Sequence, residues 1–336
     1  MNMQCKRCVL PEHKPYIYLN EEGICNICVD SAASKGQLQG SNLLESELIK
    51  ILAKYKGKAK YDCLVMCSGG KDSTSSLYYI KRRYRLNPLV FTFDNDFESK
   101  EAIDNVRNAV ERLGVDWLYF RSEFMKEMFA EAVKMKYRFS LCPLCSLWYM
   151  MLTYQVAQQY NTPLIVAGWT PGQLRGAGGY GEAEFTVLCE LISPFIDIMR
   201  KKYPKYKDFP KTMQEVMKKY RISRKGMVLS PHWFLNDEPA EYMELIKKEL
   251  GWRPITVSYP QGSTNCYLNC LGSYLSLQSY GFTHFHVEMS KLIRLGQLTR
   301  QEALAKLKLD IDTEPFSSTV DSVLNKLGCA RQDLER

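Results

Sequence analysis

Six consecutive residues, "SGGKDS" (68–73), put the parts of a phosphate site at one junction. They follow an apolar run, "YDCLVMC" (61–67), and lead into a helix-like stretch, "STSSLYYIKRRY" (73–84). Gly69 and Gly70 let the backbone approach an anion closely and take positive φ. The helix start offers unpaired N–H groups and the positive end of its dipole. Ser68, Ser73 and Thr74 add hydroxyl donors, and Lys71 adds a cation. Asp72 is the odd member. It makes sense as the ligand of a magnesium ion lying between it and a phosphate, or as a helix cap. The spacing is not the G-x-x-x-x-G-K-[ST] of the common P-loop, so the loop serves a different nucleotide chemistry unless it is an ordinary strand-loop-helix turn.

Cysteine is the second chemistry-bearing residue type, with twelve in the chain. No secretory h-region opens "MNMQCKRCVLPEHKPY" and no apolar run approaches the ~18–20 residues of a membrane span. A cytoplasmic, reducing setting is therefore expected, and metal spacing comes before disulfides. Cys5 and Cys8 form one C-x-x-C and Cys25 and Cys28 another, with sixteen residues between. That spacing predicts a closed, tetrahedral four-thiolate zinc site, structural rather than catalytic. Cys142 and Cys145 make a third C-x-x-C at a helix start, and Cys266 and Cys270 follow in "GSTNCYLNCLGSYL" (262–275). Three or four of these thiolates can hold a second zinc or a 4Fe–4S cluster; packing is the alternative, most of all for Cys270. Cys63, Cys67, Cys189 and Cys329 read as packing residues, and His232, His284 and His286 are too dispersed for a triad.

The elements that must carry these residues alternate. Strands are predicted at 61–67, 88–96, 116–121, 162–169 and 226–234. Helices are predicted at 43–56, 73–84, 98–114, 146–160, 185–203, 238–250, 266–280, 284–294 and 299–308. Strand-helix alternation implies a doubly wound α/β fold, a mostly parallel five-stranded sheet covered on both faces. The expected organisation is a zinc-ribbon module (1–40), an α/β domain (41–235) with a glycine-rich and helical insertion at about 170–225, and a helical C-terminal substrate or partner region (236–336). "SKGQLQGSN" (34–42) reads as a linker and "TPGQLRGAGGYGEAE" (170–184) as a loop. With 46% apolar and 24% charged residues, the 336-residue chain has an ordinary globular composition. Its net charge of +8, denser at 80–85 and 199–207, suits anionic ligands and is compatible with tRNA.

The "SGGKDS" loop after its buried strand resembles the PP-loop of the ATP pyrophosphatase (adenine nucleotide alpha hydrolase) superfamily. That resemblance implies cleavage of ATP between the α- and β-phosphates and adenylation of a carbonyl-type oxygen. A nucleophile, ammonia or a sulfur species, then displaces AMP. It also implies that Asp94, ending "FTFDND", and the backbone beside it face adenosine, unless Asp94 only forms a turn. Gly168, in "VAGWTPGQ", would permit close approach near the α-phosphate.

"CKRCVLP" (5–11), "EEGICNIC" (21–28), "KKELGWR" (247–253) and "NCYLNCLGSYLSLQSYGFTHFHVEMSKLIRLGQLTRQEALAKL" (265–307) are together similar to the N-acetyl sugar amidotransferases of bacterial surface-polysaccharide pathways. The likeness covers most of the chain and is weakest at 170–225. It implies an acetamido oxygen of a sugar or nonulosonic acid as the adenylated group and an acetamidino product, with ammonia from a partner glutaminase subunit. ATP, Mg²⁺ and Zn²⁺ are the implied cofactors, with Ser68, Gly69, Gly70, Lys71, Asp72 and Ser73 on the phosphates and metal. Arg294 and Arg300 would reach phosphates or an acidic sugar, or else form surface ion pairs. A PP-loop sulfurtransferase acting on tRNA or a small molecule is the alternative. It resembles enzymes that hold a cluster on a C-x-x-C and one distant cysteine. A homodimer is compatible with either reading.

Overall fold

The computed structural model describes residues 3–33, 45–137, 141–173, 183–219, 227–235, 237–256, 259–260, 265–308 and 314–334, with the side chains of 183–191, 217 and 219 left aside. The expected linker at 34–42 and most of the loop at 170–184 lie outside the described residues.

Five strands form one sheet: β1 (Cys63–Met66), β2 (Pro88–Asp94), β3 (Asp116–Arg121), β4 (Leu164–Val166) and β5 (Met227–Leu229). Their order is β3-β2-β1-β4-β5, and every pairing is parallel. A parallel sheet must be covered on both faces, and the side chains of β1 show it. Leu64 and Met66 enter one hydrophobic cluster, Cys63, Val65 and Cys67 the other. Burying a leucine or valine completely, as at Leu64 and Val65, stabilises by roughly 1.5–3 kcal/mol. Cys63 and Cys67 are thus the packing residues the sequence suggests.

One face carries α2 (Glu45–Ala53), α3 (Lys71–Tyr78), α4 (Lys100–Leu113) and α9 (Pro239–Leu250). The other carries α5 (Lys126–Lys134), α6 (Leu141–Gln159), α7 (Ala183–Lys202), α8 (Met213–Lys219), α10 (Leu268–Tyr280), α11 (His284–Arg294), α12 (Arg300–Leu307) and α13 (Phe316–Leu327). α1 (Asn26–Ala33) belongs to the N-terminal module. α3 runs on into a π-turn, Tyr79–Arg83. The strand order reverses at β1: β2 and β3 lie on one side, β4 and β5 on the other. Ligands of open α/β sheets bind at the carboxyl ends beside such a switch point.

The N-terminal module is held by isolated antiparallel bridges, Gln4 to Pro11, His13 to Ile17 and Leu19 to Cys25. Its buried cysteines share a hydrophobic cluster with Phe282 and pack against Val287 and Ile293 of α11. Module and C-terminal helices are therefore physically joined.

His286 takes a structural place, in keeping with histidines too dispersed for a triad. It closes a capping box at the start of α11, its Nδ1 accepting the Thr283 N–H at 3.1 Å. Burial holds its imidazole down to about 4. The folded state then binds fewer protons than the unfolded one, whose His titrates near 6.5, so stability is present above that value and lost as pH falls toward 4. The loss is on the order of 3 kcal/mol. Urea unfolding midpoints at pH 7.5 and 4.5 should differ less in His286→Gln than in the parent, because Gln keeps the capping acceptor without titrating.

Candidate active site and metal centre

The phosphate loop sits between the carboxyl end of β1 and the start of α3. Gly70 caps α3 and offers no side chain, so the first-turn amides of Lys71, Asp72 and Ser73 are left for a ligand. Gly69 has φ +80°, and a Cβ there would come 2.0 Å from the Ala102 carbonyl oxygen. At Gly168, beyond β4, a Cβ would lie 2.4 Å from the Ser73 backbone. Both are glycines for lack of space, so the loop can lie flat between α4 and β4.

The loop's carbonyls are pulled away from its ligand side. Gly69 O accepts from Asn105 Nδ2 at 3.1 Å and Trp252 Nε1 at 2.9 Å. Ser68 O accepts from Asn265 Nδ2 at 2.6 Å. Ser68 N–H donates to Ser73 Oγ at 3.2 Å. Lys71 Nζ pairs with Asp72 Oδ2 at 2.7 Å, and Tyr242 donates its hydroxyl to Asp72 Oδ1. The Asp72 carbonyl accepts from His232 Nε2 at 3.0 Å. Asp72 is thus fixed through both carboxylate oxygens and its backbone carbonyl, and it does not cap the helix, whose N-cap is Gly70. Asn105, Trp252, Asn265, Tyr242 and His232 are the supporting residues that motif reasoning misses. Trp252 and Asn265 do fall inside the stretches "KKELGWR" and "GSTNCYLNC".

At the end of β2, Asp94 Oδ1 accepts the Asp96 N–H at 2.8 Å and Oδ2 accepts the Tyr119 hydroxyl. This is the turn-forming arrangement. Any adenosine contact from Asp94 comes in addition to it. Asp96 has positive φ and is clamped by Arg121 and by Lys326 of α13. Burial would raise its carboxyl, but the two cations outweigh burial and hold it low.

Between them, Asn95 Nδ2 points at two sulfurs, Cys145 at 3.3 Å and Cys266 at 3.6 Å. Burial pushes Cys145 up to about 12, and burial, Glu98 and the thiols of Cys145 and Cys142 push Cys266 well up. Cys142 lies 3.4 Å from Asn269 Oδ1. Three of the four inner cysteines are thus gathered near the crevice. Cys270 is not among them: it is 2% exposed in the main core, raised to about 11 by burial alone. The structure puts it on the packing side of the two alternatives.

The outer cysteines form a different arrangement. Cys5, Cys8, Cys25 and Cys28 are buried, with all four sulfurs within 4.8 Å of one another. Cys8 and Cys25 are 3.7 Å apart, close to the spacing set by Zn–S bonds of about 2.3 Å at tetrahedral angles. Backbone N–H groups of Cys8 and Cys25 donate to Cys5 Sγ at 3.4 and 3.3 Å, and that of Leu10 to Cys8 Sγ at 3.5 Å. Hydrogen bonds from Cys25, Cys28 and Cys8 hold the Cys5 thiol far below its ordinary range. These donors fit a zinc ion. Among the described residues no other group of His, Cys, Asp or Glu is this tight.

Arg300 belongs to this centre, not to the phosphates. Its Nε donates to Cys8 O at 2.9 Å and Cys5 O at 3.3 Å, and its Nη2 to Gln4 Oε1 at 3.1 Å. It caps the knuckle carbonyls that C-x-x-C turns leave over. Arg294 ends α11, half-buried. The same helix carries Glu288, whose Cγ would lie 3.2 Å from a Cβ on Gly172. Burial raises its carboxyl to about 7, with Lys71 opposing and Asp72 adding to the rise.

Residues 261–336 match the family described as LPS biosynthesis protein WbpG-like, C-terminal domain. The WbpG-like stretch therefore supplies Asn265 to the phosphate loop, Cys266 to the inner thiols and Lys326 to the β2 turn. An uncharacterized protein of Methanocaldococcus jannaschii is 25% identical over 308 residues, covering 91% of this chain and 93% of its own. Among solved structures, the U34-tRNA thiolase NcsA of Methanococcus maripaludis, determined with its [4Fe-4S] cluster, aligns over 94% of this chain and 92% of its own at 14% identity and a TM-score of 0.39. That alignment is too loose to bear on activity. Among the described residues no helix is long and apolar enough to cross a membrane.

Proposed function

We propose that the chain is an ATP-dependent amidotransferase of the PP-loop type that adenylates the acetamido oxygen of a sugar or nonulosonic acid. Ammonia from a partner glutaminase then replaces AMP to give an acetamidino group. The observation that carries this reading is the meeting of two parts. A loop built to lie against phosphates, with Lys71 and Asp72 side by side, is held by Asn265 of the WbpG-like stretch, whose Nδ2 donates to Ser68 O at 2.6 Å. An amide carbonyl is a poor electrophile, and adenylating its oxygen creates a leaving group. The protein's part is positioning and charge neutralisation. First-turn amides of α3 and Lys71 would hold the phosphates, and Asp72 would hold Mg²⁺, which neutralises the departing pyrophosphate. Gly168 keeps β4 clear of Ser73. The four outer cysteines would hold zinc structurally.

The test is release of pyrophosphate from ATP and Mg²⁺ by purified protein supplied with ammonium and a panel of nucleotide-linked N-acetyl sugars. Release that requires one of the sugars supports the reading. Release that ignores all of them, but requires a sulfur donor and tRNA, favours the sulfurtransferase. The gathering of Cys142, Cys145 and Cys266 about Asn95 and Asn269 supports that second reading. An anaerobically purified, brown protein would strengthen it, and a colourless zinc protein would weaken it.

A further inference from the structure

The two carboxylate oxygens of Asp72 are not held alike. Oδ1 takes the hydroxyl of Tyr242, a side chain of α9 that is 3% exposed. The Tyr242 ring lies against His232, 4.9 Å between centroids. His232 Nε2 in turn meets the Asp72 carbonyl at 3.0 Å and Ser75 Oγ at 3.1 Å. Two buried side chains from outside the loop thus clamp Asp72, and a phenol is protonated at neutral pH, so Tyr242 is a standing donor. Oδ2 has a different partner. Lys71 Nζ reaches it at 2.7 Å, with 18% of the lysine side chain exposed. Consecutive residues of a helix do not face each other, so the lysine folds back on its flexible stem to make this pair. A phosphate on the first-turn amides would compete for that ammonium. Its arrival therefore opens Oδ2 and leaves Oδ1 occupied.

We propose that Tyr242 sets metal selectivity: by occupying Oδ1 it lets Asp72 meet a cation through one oxygen only, which suits Mg²⁺ and disfavours Ca²⁺. This inference rests on the reading above in which Asp72 holds Mg²⁺. Mg²⁺ demands near-octahedral coordination at about 2.0–2.1 Å, keeps several waters and takes few carboxylates. Ca²⁺ takes roughly six to eight oxygens and readily chelates a carboxylate through both of its own. A chelate at Asp72 would have to displace the Tyr242 hydroxyl and leave it buried without an acceptor. Tyr242 does not itself touch the cation; it acts through Asp72 and is a positioning residue. The "SGGKDS" loop does not contain this control, because the donor comes from a helix 170 residues further along the chain.

The experiment compares the parent with Tyr242→Phe, checked by thermal melting, and reads binding rather than turnover. The probe is a fluorescent derivative of α,β-methylene-ATP, which cannot be cleaved between its α- and β-phosphates. It is titrated with Mg²⁺ or Ca²⁺ in saturating excess over nucleotide. The parent should bind the Mg²⁺ complex more tightly than the Ca²⁺ complex. In Tyr242→Phe, which keeps the ring against His232, that preference should shrink about 10–100-fold through tighter binding with Ca²⁺. Binding with Mg²⁺ should stay within a few-fold of the parent. Equal weakening with both metals would make Tyr242 a support of the fold alone and overturn the proposal. So would an unchanged preference in the variant. A parent that does not favour Mg²⁺ would overturn it too, whether or not the variant folds. Parent binding that needs no divalent cation would instead remove Mg²⁺ from the site, and the functional reading would fail together with the proposal.

Discussion

Asp72→Asn is expected to reduce acceptor-dependent pyrophosphate release by at least 100-fold while the protein melts close to the parent's temperature. Asp72 stands between Lys71 and Tyr242, with its carbonyl held by His232. Asparagine keeps an oxygen for the Tyr242 hydroxyl and loses the charge that a magnesium ion requires. The loss therefore falls on the reaction more than on the fold, and a change of this size is about 2.7 kcal/mol of transition-state stabilisation. Asp72→Ala should show the same loss of release. It should also destabilise by about 1–3 kcal/mol, because it strands the buried Tyr242 hydroxyl. Pyrophosphate release within a few-fold of the parent in Asp72→Asn would remove the metal from this carboxylate.

The second large effect is expected at the outer cysteines. Cys8→Ser should strip zinc from the chain and unfold the N-terminal module. The four sulfurs lie within 4.8 Å of one another with little other core beneath them. Binding at such a site contributes on the order of 10 kcal/mol to folding small zinc modules. The consequence should not stop at the module. Val9 is tied to Ser290 of α11, and Arg300 of α12 is tied to the carbonyls of Cys5 and Cys8. Losing the knuckle thus frees α11 of the WbpG-like stretch, which also supplies Asn265 to the phosphate loop. Zinc content by elemental analysis, thermal melting and acceptor-dependent pyrophosphate release should fall together in Cys8→Ser. Arg300→Ala should keep its zinc and lose only stability. Full zinc content in Cys8→Ser would contradict this account of the centre.

The sheet was legible because its strands are short apolar runs bounded by turn residues, and the phosphate loop because Gly69 and Gly70 follow a fully buried one. Both depend on neighbours in sequence. The helix Lys126–Lys134 was not among the predicted elements: Met128, Phe129, Ala132 and Val133 lie on one buried face, but nine residues give a weak periodic signal. Arg300 could not be placed this way. The partners of Arg300 are backbone carbonyls nearly three hundred residues away, and a carbonyl has no residue type to recognise. The capping role of His286 was not legible for a related reason: a ring nitrogen that accepts the Thr283 N–H carries no motif of its own. The cysteines show both outcomes. Regular C-x-x-C spacing located the outer centre, but the i, i+4 pair Cys266 and Cys270 divides between the crevice and the core because Asn95 meets only the first.

The central claim is that an acetamido oxygen attacks the α-phosphorus of ATP. Its most direct test is to supply an N-acetyl sugar whose acetamido carbonyl carries heavy oxygen, with ATP, Mg²⁺ and ammonium, and to weigh the nucleotide product. The account predicts AMP bearing the label and a sugar in which NH has replaced the oxygen. Unlabelled AMP with the sugar unchanged, or ADP in place of AMP, would contradict it.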